Sequence, residues 1–359
     1  MAKIRALVVE DSATVRERLR EVLVSDPEIE VVGVAEDGKR GIELCRELRP
    51  DVVTMDMMLP VMSGLAATEY IMAHCPTPIL VVSSSLNRGE LFRTYEALAA
   101  GAVDVLEKPG PDDADGVWER KFLDAIKLVS RIRVITHPRA RLAALAAARS
   151  ADALAHGATT PLAVAPMVVA IGASTGGPGA LVEVLKALPT TFSTPVLIVL
   201  HIAEPFARAF ADWLDGQVSR PVAYARDGED LREVTGRAVM APPNRHLVVR
   251  GGRLRLTQEP ERHSCRPSVD VLFESVALAY GAAAIGCLLT GMGRDGASGL
   301  LEMRRNGGLT IAQDEATSVV FGMPREAVLL GAVQRVLGLH EIGPTLAGLV
   351  GAAAESKPV

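Results

Sequence analysis

Short runs of consecutive apolar residues, separated by amphipathic stretches, recur from Arg5 to about Arg133, and this alternation constrains the fold more than any other feature of the chain. The runs ALVV, EVVGVA, DVVTM, PILVVS and VDVLE are interrupted by stretches such as VRERLREVLVS and GIELCRELR. Strands that alternate with helices predict a doubly wound parallel α/β sheet. The pattern starts again at MVVAIGAS, continues through PVLIVLH, AVMAPP and IGCLLTG, and fades after GAVQRVLGL. Residues 136–165 between the two are rich in Ala with Pro, Gly and Thr and offer no wide apolar face, so they read as a linker. With 359 residues, 49% of them hydrophobic, the chain exceeds one small core. The expected organisation is therefore two parallel-sheet domains, 1–135 and 166–350, joined by 136–165 and followed by a disordered tail, 351–359. No internal repeat is evident.

A net charge of −5 without a Lys/Arg block disfavours nucleic acid and anionic lipid as partners. Aromatic residues make up only 4%, so base-stacking platforms are scarce. The start, MAKIRALVVED, lacks the long apolar region of a signal peptide, and nothing reaches 18 uninterrupted apolar residues. A cytoplasmic protein without membrane insertion is expected. Cys45, Cys75, Cys265 and Cys287 form no C-x-x-C pair or zinc-spaced cluster and read as core or spare thiols.

Ligands of open α/β sheets sit beyond the carboxyl ends of the strands, so the residues that end each run are where chemistry is sought. In the first domain the runs end in Glu10 and Asp11, in Asp56, in Ser83 and in Lys108 before Pro109. Three carboxylates converging from two strand ends repel one another unless a hard cation such as Mg²⁺ neutralises them. A lysine and a hydroxyl facing the same point could bind the oxygens of a phosphoryl group on the central Asp56. This set resembles the response-regulator receiver family over about 130 residues. The resemblance implies a flavodoxin-like receiver in which Asp56 accepts phosphate from a histidine kinase. It further implies that Glu10, Asp11, Asp56 and the Met58 backbone carbonyl hold Mg²⁺, while Ser83 and Lys108 sense the phosphoryl group. Asp37 reads as a turn residue. Where many receivers carry an aromatic switch residue, three positions before the lysine, this chain has Val105.

In the second domain VVAIGASTGGPGA, 168–180, reads as strand, glycine-dense turn and helix start, and Gly172 to Gly176 fits G-x-S-x-G around Ser174. Such a turn suits a nucleophile, with backbone N–H groups and a helix dipole aimed at an oxyanion. It also suits a phosphate cradle or a plain tight turn, although the spacing fits neither G-x-G-x-x-G nor a P-loop. A nucleophile needs a base and the base an orienting acid. His74 lies in the first domain, His137 and His156 in the linker and His340 near the tail; His246 and His263 lie in more polar segments. His201 directly ends PVLIVL and is the best candidate base. Asp295, on the glycine turn MGRDG after AIGCLLTG, is the candidate acid. The order Ser, His, Asp differs from the Ser, Asp/Glu, His of α/β-hydrolases.

IGASTGG, the histidine after the second strand, RPSVDVLF, LTGMGRDGA and IAQDEATSVVFGMPREA together resemble the CheB family, the chemotaxis protein-glutamate methylesterases, over about 166–345. The resemblance implies a Rossmann-like methylesterase domain. Ser174 would attack the methyl ester of a receptor glutamate, His201 would act as base and then acid, Asp295 would orient the imidazole, and the Thr175 and Met292 backbone N–H groups would bind the oxyanion. Methanol and glutamate would result, receptor glutamines would be deamidated, and no cofactor would serve the ester chemistry. The partners implied are methylated chemoreceptors and a chemotaxis kinase, and the chain is expected to be monomeric. Two departures stand out: Cys265 replaces the histidine that often precedes R-P-S, and IAEPFARAF replaces the commoner form after the catalytic histidine, though it keeps Pro205 and Phe206. Domain order and resemblance suggest that the unphosphorylated receiver covers the cleft, with a coupling of about 1 to 3 kcal/mol. A silent adaptor and an esterase of small molecules are the competing readings.

Overall fold

The computed structural model describes residues 3–84, 87–110, 116–132, 134 and 167–355. The chain divides into two compact units, Met1–Ala155 and His156–Val359. The expected linker, 136–165, lies outside the described residues, and so do 356–359. Among the described residues no helix is long and apolar enough to cross a membrane.

The first unit alternates strands and helices throughout: β1 (Ile4–Val9), α1 (Ala13–Ser25), β2 (Ile29–Ala35), α2 (Gly38–Leu48), β3 (Val52–Met55), α3 (Gly64–His74), β4 (Ile79–Ser83), α4 (Arg88–Ala99), β5 (Asp104–Glu107) and α5 (Val117–Val129). Ser12, Asp37, Ser63 and Asn87 each accept a hydrogen bond from the backbone N–H three residues on and so start α1 to α4. Asp37, expected as a turn residue, is thus a helix cap. All pairings are parallel, in the order β2-β1-β3-β4-β5. Val8, Val52, Leu80 and Val82 face a core shared with Leu19, Leu23, Phe122 and Ile126 of α1 and α5. Leu7, Val9, Val53 and Met55 are buried as well, as strands covered on both faces require. The chain runs from β1 to β2 on one side and to β3 on the other, so the sheet's switch point lies between β1 and β3.

The second unit comprises β6 (Val168–Ala173), α6 (Gly177–Lys186), β7 (Val196–Leu200), α7 (Glu204–Ala207), α8 (Phe210–Gln217), β8 (Val222–Tyr224), β9 (Ala238–Met240), β10 (His246–Arg250), β11 (Arg253–Thr257), α9 (Val269–Tyr280), β12 (Ala284–Leu288), α10 (Ala297–Arg305), β13 (Leu309–Gln313), α11 (Met323–Leu329), β14 (Arg335–Leu337) and α12 (Leu339–Glu355). Its seven strands are parallel in the order β14-β13-β12-β6-β7-β9-β8, and β10-β11 form a separate antiparallel hairpin. Helix α12 runs to Glu355, so residues 351–355, expected in the tail, continue a helix instead. Val269, Leu272, Phe273 and Val276 of α9 pack with Leu247 and Val249 of the hairpin and with Ala170 and Leu288 of the sheet. Strands after β6 are added on one side, through β7, and then on the other, through β12, which makes the carboxyl end of β6 the switch point of this sheet.

Candidate active site

At the end of β6, Ala173 pairs with Leu200 of β7, and Gly172 pairs with Leu288 of β12. The next residues carry the pairing one step further: His201 N–H donates to the Ala173 carbonyl at 3.0 Å, and Ser174 N–H donates to the Thr290 carbonyl at 3.0 Å. Ser174 and His201 therefore leave adjacent strand ends at one level. Gly176 then turns the chain into α6 with φ +77°, a conformation that disfavours a side chain, and a Cβ there would stand 2.5 Å from Val319 Cβ. Gly291 lies so close that a Cβ on it would meet Ser174 Cβ at 2.8 Å.

His201 Nε2 bonds Asp295 Oδ2 at 2.9 Å. Asp295 is buried, and its carboxylate also accepts from the Ser268 hydroxyl (2.8 Å), Val269 N–H (2.7 Å) and Asp270 N–H (3.1 Å), the first turn of α9. Burial pushes the Asp295 pKa up, but His201 and these donors outweigh it and hold the group below the usual carboxylate value. Burial likewise opposes charge on His201, yet Asp295 and the Cys265 thiol raise its pKa from 6.5 to about 9. With Nε2 committed to Asp295, Nδ1 is the nitrogen turned to the cleft, where Cys265 Sγ contacts it at 3.9 Å. Cys265 is thus no spare thiol but a neighbour of the imidazole, partly exposed on an open cleft of about 540 Å³ that His201, Met292, Arg294 and Asp295 also line. The structure joins His201 to Asp295 but leaves the Ser174 hydroxyl without a hydrogen bond to His201 among the described residues. Neither the Thr175 nor the Met292 backbone N–H is engaged in a described hydrogen bond.

Several supporting residues escaped the sequence reading. Thr290 is buried; its N–H donates to Gln313 Oε1 (2.8 Å), and its hydroxyl donates to the Thr175 carbonyl (3.0 Å) and accepts from Val320 N–H (3.0 Å). Ser268 caps α9 while donating to Asp295. Asp270, wholly buried, accepts from Gly299 N–H at 2.6 Å and from His263 at 3.1 Å, and Arg294 Nε donates to the other nitrogen of His263. His246, though in a polar segment, lies in the interior. It is fully buried, accepts from Ser268 N–H at Nδ1 and reaches the Pro260 carbonyl through Nε2.

In the first unit Glu10 and Asp56 are buried at the β1/β3 switch point, and Asp11 is exposed beside them. One carboxylate oxygen of each lies within 4.8 Å of the others. Lys108 Nζ stands 2.9 Å from Glu10 Oε2 and 3.1 Å from Asp56 Oδ2. Even so, both Asp56 oxygens and Glu10 Oε2 have no aligned hydrogen bond. Burial, and then the charge of Asp56, lifts Glu10 from 4.5 to about 7, and burial raises Asp56 too. Burial alone would lower the Lys108 pKa, but Asp56 and Glu10 raise it on balance. Crowded acidic oxygens short of donors fit a hard divalent cation. Met58 follows β3 with an exposed side chain. Ser83 is buried at the end of β4, and its hydroxyl donates to Glu90. Val105 is buried in β5 opposite Val81.

The family model for CheB methylesterase matches residues 169–346, and that for the response regulator receiver domain matches 6–114. A relative from Nitrosospira multiformis, named protein-glutamate methylesterase/protein-glutamine glutaminase, is 42% identical over 99% of both chains. The chain belongs to the CheB methylesterase family. A second relative of that name, from Anaeromyxobacter dehalogenans, is 45% identical over 94% of this chain and 95% of its own. The catalytic domain of Thermotoga maritima CheB methylesterase is 34% identical, covers 52% of this chain and 100% of its own, and superposes with a TM-score of 0.49. The two family matches coincide with the two parallel sheets, one carrying the acidic pocket and the other the His201–Asp295 pair.

Proposed function

We propose that this chain is a monomeric, cytoplasmic serine hydrolase under phosphorylation control that demethylates glutamate methyl esters on chemoreceptors and deamidates receptor glutamines. Residues 1–135 act as its receiver and 166–350 as its catalytic domain. The observation that carries the reading is the 2.9 Å His201–Asp295 hydrogen bond beside the β6 end that bears Ser174. Ser174 Oγ attacks the ester carbonyl carbon while His201 Nδ1 takes its proton. The oxyanion meets the Thr175 and Met292 N–H groups, and Asp295 offsets the imidazolium through Nε2. The methoxy group leaves with that proton as methanol. Water, giving a proton to the same nitrogen, then releases glutamate from Ser174; with a glutamine substrate the leaving group is ammonia. The Ser174 hydroxyl reaches Nδ1 when substrate is bound, as catalytic hydrogen bonds often tighten in the Michaelis complex.

In the receiver, Glu10, Asp11 and Asp56 with the Met58 carbonyl would hold Mg²⁺, which supplies positive charge against the carboxylates and the incoming phosphoryl group. Asp56 is the acceptor, a histidine kinase the donor, and Lys108 pairs with the phosphoryl oxygens.

Cys265 favours a second reading, in which its thiol is the nucleophile, because its Sγ lies 3.9 Å from Nδ1 while no hydrogen bond joins Ser174 to His201 among the described residues. The test is methanol release from methylated receptor membranes, with and without a small phosphodonor. Ser174→Ala should abolish release, Cys265→Ala should keep it, and Asp56→Asn should lose only the response to phosphodonor. Release that survives Ser174→Ala would overturn the proposal.

A further inference from the structure

Val105 leaves no aromatic side chain at the position where many receivers carry their switch residue, so another element is sought that responds when the phosphoryl group arrives. The buried carboxylate of Glu90, in the first turn of α4, lies where such a response would start. Its Oε1 accepts from the Ser83 hydroxyl at 2.9 Å and from Ser84 N–H at 2.8 Å, and its Oε2 accepts from the Ser84 hydroxyl at 2.6 Å and from Asn87 Nδ2 at 3.4 Å. Asn87 returns the contact by accepting from Glu90 N–H at 2.9 Å. This is a reciprocal capping arrangement, and in it the helix-capping acid also grips the end of β4. Ser83 has one hydroxyl proton to give. It cannot donate it both to Glu90 and to a phosphoryl oxygen on Asp56.

We infer that Glu90 is the resting-state partner of Ser83, a positioning residue through which phosphorylation at Asp56 reaches helix α4. The inference rests on the reading of Asp56 and Ser83 given above. In the resting state Glu90 turns the Ser83 hydroxyl away from Asp56 and ties β4 to the start of α4. A phosphoryl group competes for the same proton, and a charge-assisted bond to Ser83 passes from Glu90 to phosphate. Glu90 then loses one of its four donors among the described residues, and the first turn of α4, held by the Glu90–Asn87 pair, loosens. Thr94 and Tyr95, also buried on α4, lie on the next turns of the helix that would move.

The full chain tests this through the ratio of methanol release with and without a small phosphodonor. Glu90→Ala should lower that ratio about tenfold, the factor carried by one hydrogen bond to a charged group, and should do so by raising the resting rate rather than lowering the stimulated one. Glu90→Gln keeps one acceptor oxygen for Ser83 and should restore part of the ratio. Hydrogen exchange supplies a readout that does not use the esterase. Beryllofluoride, a phosphoryl mimic, should deprotect the Glu90 and Leu91 amides in wild type and not in Ser83→Ala. A wild-type activation ratio in both Glu90 variants, with Asp56 phosphorylated to the wild-type extent by mass shift, would overturn the inference. Loss of the stimulated rate alone would mean damage to the fold and would overturn it too. No mass shift on wild type would defeat the underlying reading of Asp56, and this inference with it.

Discussion

Between pH 7 and 9, kcat/KM on methylated receptor should rise about fiftyfold, because a base with a pKa of about 9 is only about 1% neutral at pH 7 and half neutral at pH 9. The cause is local. Burial opposes protonation of His201, and the Asp295 carboxylate and Cys265 thiol more than reverse it. The same shift bears on stability with the opposite sign. The folded pKa lies above the unfolded 6.5, so the contribution is complete below pH 6.5 and is lost as pH rises through about 9. At 1.36 kcal/mol per unit it amounts to about 3 kcal/mol, for a side chain only 16% exposed. Asp295 is the other half of the same contact, so its lowered pKa adds no second full share; its contribution is present above pH 3.8 and lost on acidification. Activity should therefore climb while the unfolding midpoint falls across one pH window. The assay is methanol release against pH, with the Ser174→Ala blank subtracted to remove chemical ester hydrolysis, alongside thermal melts of the same samples. A kcat/KM that is already flat from pH 6.5 upward would refute the assignment of His201 as a base raised by its neighbours.

Cys265→Ala should move the activity inflection to lower pH, since the thiol helps raise the His201 pKa; an unmoved inflection would show that Asp295 alone sets it. Thr290→Val keeps the shape but leaves the Thr175 carbonyl and Val320 N–H without their partner, and should cost about 1 to 3 kcal/mol in chemical melts and lower kcat more than it changes KM. Ser268→Ala removes the α9 cap and one donor to Asp295, for about 2 kcal/mol of stability, which urea unfolding would measure. Chelating divalent cations should abolish stimulation by phosphodonor and leave the resting methanol release unchanged; an undiminished response would remove the cation from the receiver's role.

What could be read from the sequence and what could not divide along a physical line. Ser174, His201 and Asp295 each follow an apolar run, and a run announces where its own strand ends; a parallel sheet then brings neighbouring ends together whatever lies between them. The polar ends at Glu10, Asp56, Ser83 and Lys108 were legible for the same reason. Even the cap at Asp37 and the pairing of Asn87 with Glu90 follow local rules that the residues display, three positions apart. The supports are different. Ser268 meets Asp295 across 27 residues, Thr290 meets Gln313 across 23, and Cys265 meets His201 across 64. None of these pairs carries a periodic signal, because which loop a polar side chain faces is decided by how α9 and the β12–α10 turn approach each other. The direction of the Ser83 hydroxyl belongs to this second class. Its place at a strand end was readable, but its choice of Glu90 over Asp56 depends on the donors that converge on one buried carboxylate, and that convergence exists only once α4 has packed. A residue's position in the site is thus written locally, and the state in which it waits is written by its neighbours in space.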